Sequence, residues 1–179
     1  MGDASEQLGQ HFAAWELMDR RSGPAQQRRA WLTATSRERY LRLVRGTLEP
    51  LRETTGALGV VSGERRESKT AANSRHMPPE CRPDARHRAT PDGRTDAAAD
   101  VRSRTLSPLA VATAALRLMG QGVIPVGGVG MYPTFAHVDN RGRVAVWRGQ
   151  GVDDATWALL CAARDAAASA IRTRMEVGT

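Results

Sequence analysis

The side chains that could do chemistry are few and scattered along the chain. His76, Cys81 and His87 fall within eleven residues of one another and are of the types that bind zinc. Structural zinc takes four ligands, usually in tight pairs. Here three stand loosely spaced with no fourth nearby, so coincidence is the expectation and no metal is assigned. His11, beside Phe12, could act as a general base, but no serine or cysteine nucleophile with a suitable neighbourhood accompanies it. His137 lies two residues before Asp139 in an apolar run, which puts both on one face of a strand, where the carboxylate would favour the charged imidazole. On that reading His137 projects from a hairpin surface. Asp153 and Asp154 could be a carboxylate pair for acid–base work, although a helix start selects acidic residues for capping and dipole reasons alone. Cys161, among alanines, reads as a small core residue.

Gly127, Gly128 and Gly130 raise the question of a phosphate loop. The dinucleotide and Walker fingerprints need other spacings, and the Walker loop ends in a lysine that is absent here. Gly149 and Gly151 do precede a helix start, but Asp153 and Asp154 behind them would repel an anion. Both glycine clusters are therefore expected to serve as turns.

The remaining candidates are arginines. In SRERYLRLVRGTLE, from Ser36 to Glu49, helical spacing places Arg37, Arg42 and Arg45 on a polar side while Tyr40, Leu41, Val44 and Leu48 face inward. With the helix before it this could form a helix-turn-helix in which those three arginines contact nucleic-acid phosphates.

The elements that must carry these residues are suggested by periodicity and punctuation. Leu8, Phe12, Trp15 and Met18 predict a first helix, ended by Arg20 to Pro24. A second would open at Pro24 and carry Trp31. Thr35 and Glu38 have the spacing of a capping box and introduce the third, with Pro50 interfering at its end. From Ser62 to Thr105 there is no Phe, Trp, Tyr, Ile or Leu, and four prolines occur between positions 78 and 91. Such a composition buries too little apolar surface to offset its ordering entropy, which predicts a disordered linker. Ser107-Pro108 then opens a helix bearing Leu109, Ala112, Leu116 and Met119, with Gly120 at its end. Val123 to Val126 reads as an edge strand at most, because of Pro125. Thr134 to Val138 and Arg143 to Trp147 read as a β-hairpin around Asp139-Asn140-Arg141-Gly142. Asp153 caps a final alanine-rich helix carrying Trp157, Leu160, Cys161, Ala168, Ile171 and Met175.

The expected class is therefore α+β: a helical unit over 1–61, a linker over 62–105, and a small α, β-hairpin, α unit over 106–179. The chain of 179 residues carries 26 Lys+Arg against 19 Asp+Glu, a net charge of +7. All but one of those basic residues are arginine, and the surplus is spread among the segments rather than gathered in a tail. An anionic partner is favoured, with any positive patch assembled by folding. No run of 18 apolar residues exists, so no membrane partner is expected. The two cysteines make no framework of spaced pairs, which fits a reducing, cytoplasmic setting.

Together these features imply a non-enzymatic, nucleic-acid-associated and plausibly regulatory protein, with no cofactor. The alternative is a protein-interaction or homo-oligomerising module. An enzyme stays open only because sites assembled from distant residues are invisible to local motifs.

Overall fold

A computed structural model describes residues 6–17, 34–63 and 97–178. The elements are α1 (Ala14–Leu17), α2 (Ala34–Leu43), a π-helical turn (Val44–Leu48), α3 (Glu49–Thr55), β1 (Leu58–Ser62), β2 (Ala98–Ser103), α4 (Pro108–Gln121), β3 (Gly128–Met131), β4 (Ala136–Asp139), β5 (Ala145–Arg148) and α5 (Asp154–Val177). The five strands form one mixed sheet in the order β1-β2-β4-β3-β5. Every pairing is antiparallel except the parallel one between β3 and β5. The protein is α+β.

Strand alternation sorts the sheet into two faces. Val60, Val101, Val129, Met131, Ala136 and Val138 point to the side where α4 and α5 pack, and join Leu116, Met119 and Leu160 in the core. Leu8, Phe12 and Leu17 from the N-terminal part belong to the same core cluster, as do Tyr40, Val44, Leu48 and Leu51. The opposite face carries Asp100 on β2, His137 and Asp139 on β4, Gly128 and Gly130 on β3, and Trp147 on β5.

The helix ends follow their local chemistry. The Ser107 side chain accepts from the Ala110 N–H at the start of α4, with Pro108 in the first turn. Asp153 accepts from Thr156 N at 2.8 Å and from its hydroxyl at 2.7 Å at the start of α5. The helix α4 runs past Gly120, whose bare Cα lets α5 approach at Ala167, and ends at the left-handed Gly122 with φ 76°.

Several expectations need correction. Leu8 and Phe12 are buried, but their segment is not a helix: Gln7 bridges Ala13 and only Ala14–Leu17 is helical, leaving Trp15 exposed. The expected second helix lies outside the described residues. Pro50 does not end the third helix. It sits in the first turn of α3, behind the π-helical turn, which makes room for a ring that would otherwise clash with the carbonyl four residues back.

The stretch 62–105 is not a linker throughout, since Ala98–Ser103 is a strand between β1 and β4. Alanine and valine suffice there because the strand is tightly covered: Ala97, Ala98, Ala99 and Val101 have no exposed surface. Residues 64–96, with His76, Cys81 and His87, lie outside the described residues.

The hairpin expected at 134–147 is also different. β4 and β5 do not pair; β3 lies between them. The hairpin is β3–β4, closed by the Tyr132–Phe135 loop with a Tyr132 N–H to Phe135 carbonyl bond of 3.0 Å. Gly142, at φ 79°, does take the positive φ expected of it, but in a crossover. Val123 to Val126 is not a strand; the strand comes two residues later and is central.

Candidate functional site

The sheet face opposite α4 and α5 holds a cluster of ionisable side chains. Asp100 and His137 are cross-strand partners on β2 and β4, and their side chains meet at 2.9 Å through imidazole Nδ1. Two residues on, Asp139 projects from the same face, and its Oδ2 lies 3.3 Å from Nε2. Ionised carboxylates only accept, so with both ionised the imidazole between them donates from both nitrogens and carries a positive charge. Asp100, His137 and Asp139 are 2, 3 and 0% exposed.

Asp139 is held from several directions. Its Oδ1 accepts from the Gly128 N–H at 2.8 Å and the Arg141 N–H at 3.1 Å. The Arg141 guanidinium grips both oxygens, Nε at 2.9 Å from each and Nη2 on Oδ2. The Asp139 carboxylate thus faces both the His137 ring and the Arg141 guanidinium.

The proton affinities follow. Burial pulls that of His137 down, but hydrogen bonds and charges from Asp100 and Asp139 outweigh it and leave the imidazole raised above its ordinary value. Burial pushes Asp139 up, whereas the bonds and charges of His137 and Arg141 hold its carboxyl far below the usual carboxylate range.

An aromatic edge closes the cluster. Trp147 meets the His137 ring edge-on at 4.8 Å, and the Arg141 guanidinium lies 4.9 Å from the Trp147 ring centroid. The Trp147 Nε1–H donates to the Tyr132 hydroxyl at 3.3 Å, and Tyr132 stacks on Phe135. The glycines of β3 make this possible. A Cβ on Gly130 would lie 2.4 Å from Trp147 Nε1, and one on Gly128 would lie 2.7 Å from Arg141 Nε. The expectation that these glycines are turns is overturned: they are strand residues that give up side chains so that Trp147 and Arg141 can lie against β3. His137, likewise, is not at a hairpin surface but buried.

The chemistry available is proton transfer between a carboxylate and an imidazolium in contact. Asp100, His137 and Asp139 are also donor types used by divalent cations. Among the described residues no group of three or more His, Cys, Asp or Glu is arranged to hold one.

The other sequence candidates lie elsewhere. On α2, Arg37 is exposed and bonded to Glu6, with Nε 2.9 Å from each carboxylate oxygen. Its charge is favoured by the hydrogen bond and then the charge of Glu6. Arg42 pairs with Glu38 one turn before it, and Arg45 Nε donates to the Leu8 carbonyl at 3.1 Å. The fold therefore directs all three outward while giving each an internal partner. His11 bonds Glu49 through Nδ1 at 2.7 Å. Asp153 is a cap, and Asp154 pairs with Arg148.

Asp100 escaped sequence reading because it lies in a stretch with no large apolar residue. The signal available was AAADV, whose small residues are those a covered central strand accepts. No helix among the described residues is long and apolar enough to cross a membrane. The chain matches no protein-family model, no curated protein and no solved structure.

Proposed function

We propose that the chain is a hydrolytic enzyme whose proton-transfer centre is Asp100, His137 and Asp139. The observation that carries this reading is the buried imidazole between two carboxylates on the sheet face opposite α4 and α5. Replacing such a cluster by apolar side chains is often neutral or stabilising, so stability alone does not account for its retention. Perturbed, partnered ionisable groups gather where chemistry is done.

Hydrolysis needs one proton taken and one given. Asp100 accepts a proton from the attacking water, while the His137 imidazolium gives its Nδ1 proton to the leaving group. The proton on Asp100 then returns to Nδ1 across their 2.9 Å contact, and the cycle closes with water divided between the products. Asp139 remains the fixed anion that keeps the imidazole charged.

The test is a panel of p-nitrophenyl carboxylic esters, phosphate esters and a quenched peptide library. It is run from pH 5 to 9, with and without added zinc, manganese or magnesium, on the full chain and on His137→Gln and Asp100→Asn. At least one class should turn over, with a loss of about 100-fold or more in each variant. Turnover that neither variant reduces, or none by the full chain under any of these conditions, overturns the proposal.

A second reading, a nucleic-acid-associated protein that is plausibly regulatory, draws on the outward placement of Arg37, Arg42 and Arg45 and the net charge of +7. Binding of duplex DNA or RNA should then weaken steeply between 50 and 200 mM salt, by about tenfold or more, and fall further in Arg42→Ala/Arg45→Ala. No binding at low salt removes this reading. A mass that rises with concentration in that case supports the protein-interaction or homo-oligomer alternative. The absence of spaced cysteine pairs supports a cytoplasmic setting for any of these.

A further inference from the structure

We infer that α5 is a self-association surface: two copies of this chain pair through its outward face, antiparallel, with Asp154 of each against Arg172 of the partner subunit. This rests on the homo-oligomer alternative, to which it gives an interface, and is independent of the chemistry assigned to the buried cluster.

The packing of α5 within its own chain uses one side of the helix. Of its 24 residues only Leu160 and Ala167 are buried, while Trp157, Ala163 and Ile171 are partly buried against the core. The bare Cα of Gly120 on α4 meets it at Ala167 and Ala170. On the other side Ala155, Ala158, Leu159, Ala162, Ala166 and Thr173 share one face by helical spacing. All six are exposed, Leu159 by 60%. The solvent side of a surface helix ordinarily carries charged and polar residues. Here it is apolar along most of a length of about 36 Å.

The charges at the margin of this face select the partner and its direction. Asp154, Asp165 and Arg172 lie along one edge of it by the same spacing. Asp165 is already held by Arg164, whose Nε lies 2.9 Å from Oδ1. Arg174 is engaged with the Met119 and Gly120 carbonyls, whereas Arg172 is exposed. That leaves an anion at the first turn and a cation near the last, about 27 Å apart. Asp154 pairs with Arg148, yet its side chain is 92% exposed and open to a second cation. Parallel helices would set like charges together at both ends. Antiparallel helices set unlike charges together twice and oppose the helix dipoles favourably. With Asp154 opposite Arg172, the two-fold axis passes midway, beside Ala162 and Ala166, whose small side chains allow close approach. One helix per copy is at the small end of specific interfaces, so the dimer exchanges at about micromolar concentration.

The experiment is sedimentation equilibrium of the full chain from about 1 to about 200 μM, with circular dichroism confirming that each variant folds. The native mass should rise from monomer to dimer. Ala162→Glu, which sets two carboxylates at the axis, should weaken the dimer by about tenfold or more. Asp154→Arg and Arg172→Asp should each weaken it by about tenfold, and combining the two swaps in one chain should restore the native constant. These positions are exposed, so the charge swaps give the same readout if Ala162→Glu does not fold. A dimer indifferent to Ala162→Glu overturns the inference and leaves the homo-oligomer reading standing on another surface. A double swap no better than the single ones overturns the antiparallel register. A monomer at every concentration overturns both the inference and the homo-oligomer reading, and has no bearing on the hydrolytic one.

Discussion

Gly130→Ala tests whether the aromatic edge of the site is seated as described. A Cβ there would lie 2.4, 2.5 and 2.8 Å from Nε1, Cε2 and Cζ2 of Trp147, inside any real carbon contact. The indole is rigid and cannot yield by bending, so it must swing outward. That swing breaks the edge-on contact with His137 and lengthens the bond to the Tyr132 hydroxyl. Overpacking of this kind costs about 1–3 kcal/mol. Loss of an aromatic edge contact adds about 0.5–1.5 kcal/mol. Alanine in a strand returns about 0.5–1 kcal/mol through the unfolded chain. The net is a loss of about 2 kcal/mol, or roughly 4–8 °C in melting temperature for a chain of this size. Gly59→Ala is the internal control. It also lies in a strand, but a Cβ there meets nothing within 4 Å, so it should be neutral or slightly stabilising. The assay is urea unfolding followed by circular dichroism, with tryptophan emission recorded on the folded variants. Gly130→Ala with stability equal to that of Gly59→Ala and unchanged emission would refute the placement of Trp147 against β3.

Other outcomes follow from the same geometry. His137 has a proton affinity raised above its ordinary 6.5, so its contribution to stability is complete below that value and is lost as pH rises through the raised one. Unfolding free energy should therefore fall on the alkaline side, and His137→Gln should flatten that limb in equilibrium titrations. Asp139, held low, contributes above its ordinary 3.8 and loses this as pH falls, so an acid limb should persist in His137→Gln through Arg141 and shrink in Asp139→Asn. Ser107→Ala removes the cap of α4 and should cost about 1 kcal/mol in urea unfolding. Asp153→Ala should lower the melting temperature more than Asp154→Ala, because only the former closes the first turn of α5.

What could be read directly from the sequence was whatever is decided within a few residues. Ser107-Pro108 and Asp153 start helices because a cap and its N–H partner lie three positions apart, and Gly142 turns because of its own φ. The common face of His137 and Asp139 was readable too, from a period of two. What was not readable depends on partners distant in sequence. Nothing within 126–148 says that β5 lies parallel to β3 rather than antiparallel to β4, and with that pairing misplaced the glycines looked like turns. Asp100 meets His137 from 37 positions away, out of a stretch whose composition lacks the residues that usually signal a core. A tightly covered strand can be made of alanine and valine because little room exists above it. The arginines were legible as an outward row, but their pairing with Glu6 and with the Leu8 carbonyl was not.

The ionic face has a consequence for how β4 finds its place. Most half-buried strands are aligned by one apolar row, and a slip of one residue is penalised only by exposing it to water. In β4 both rows are buried, Ala136 and Val138 on the side of α4, His137 and Asp139 on the other. A one-residue slip would drive an imidazolium and a carboxylate among Leu116 and Met119 without their partners, at several kcal/mol for each ion. A two-residue slip keeps the faces but sets His137 opposite a residue other than Asp100, and Trp147 can then no longer meet it across the bare Cα of Gly130. The charges that would do chemistry in the native sheet thus also act as a proofreading device during its assembly, discriminating against misaligned strands.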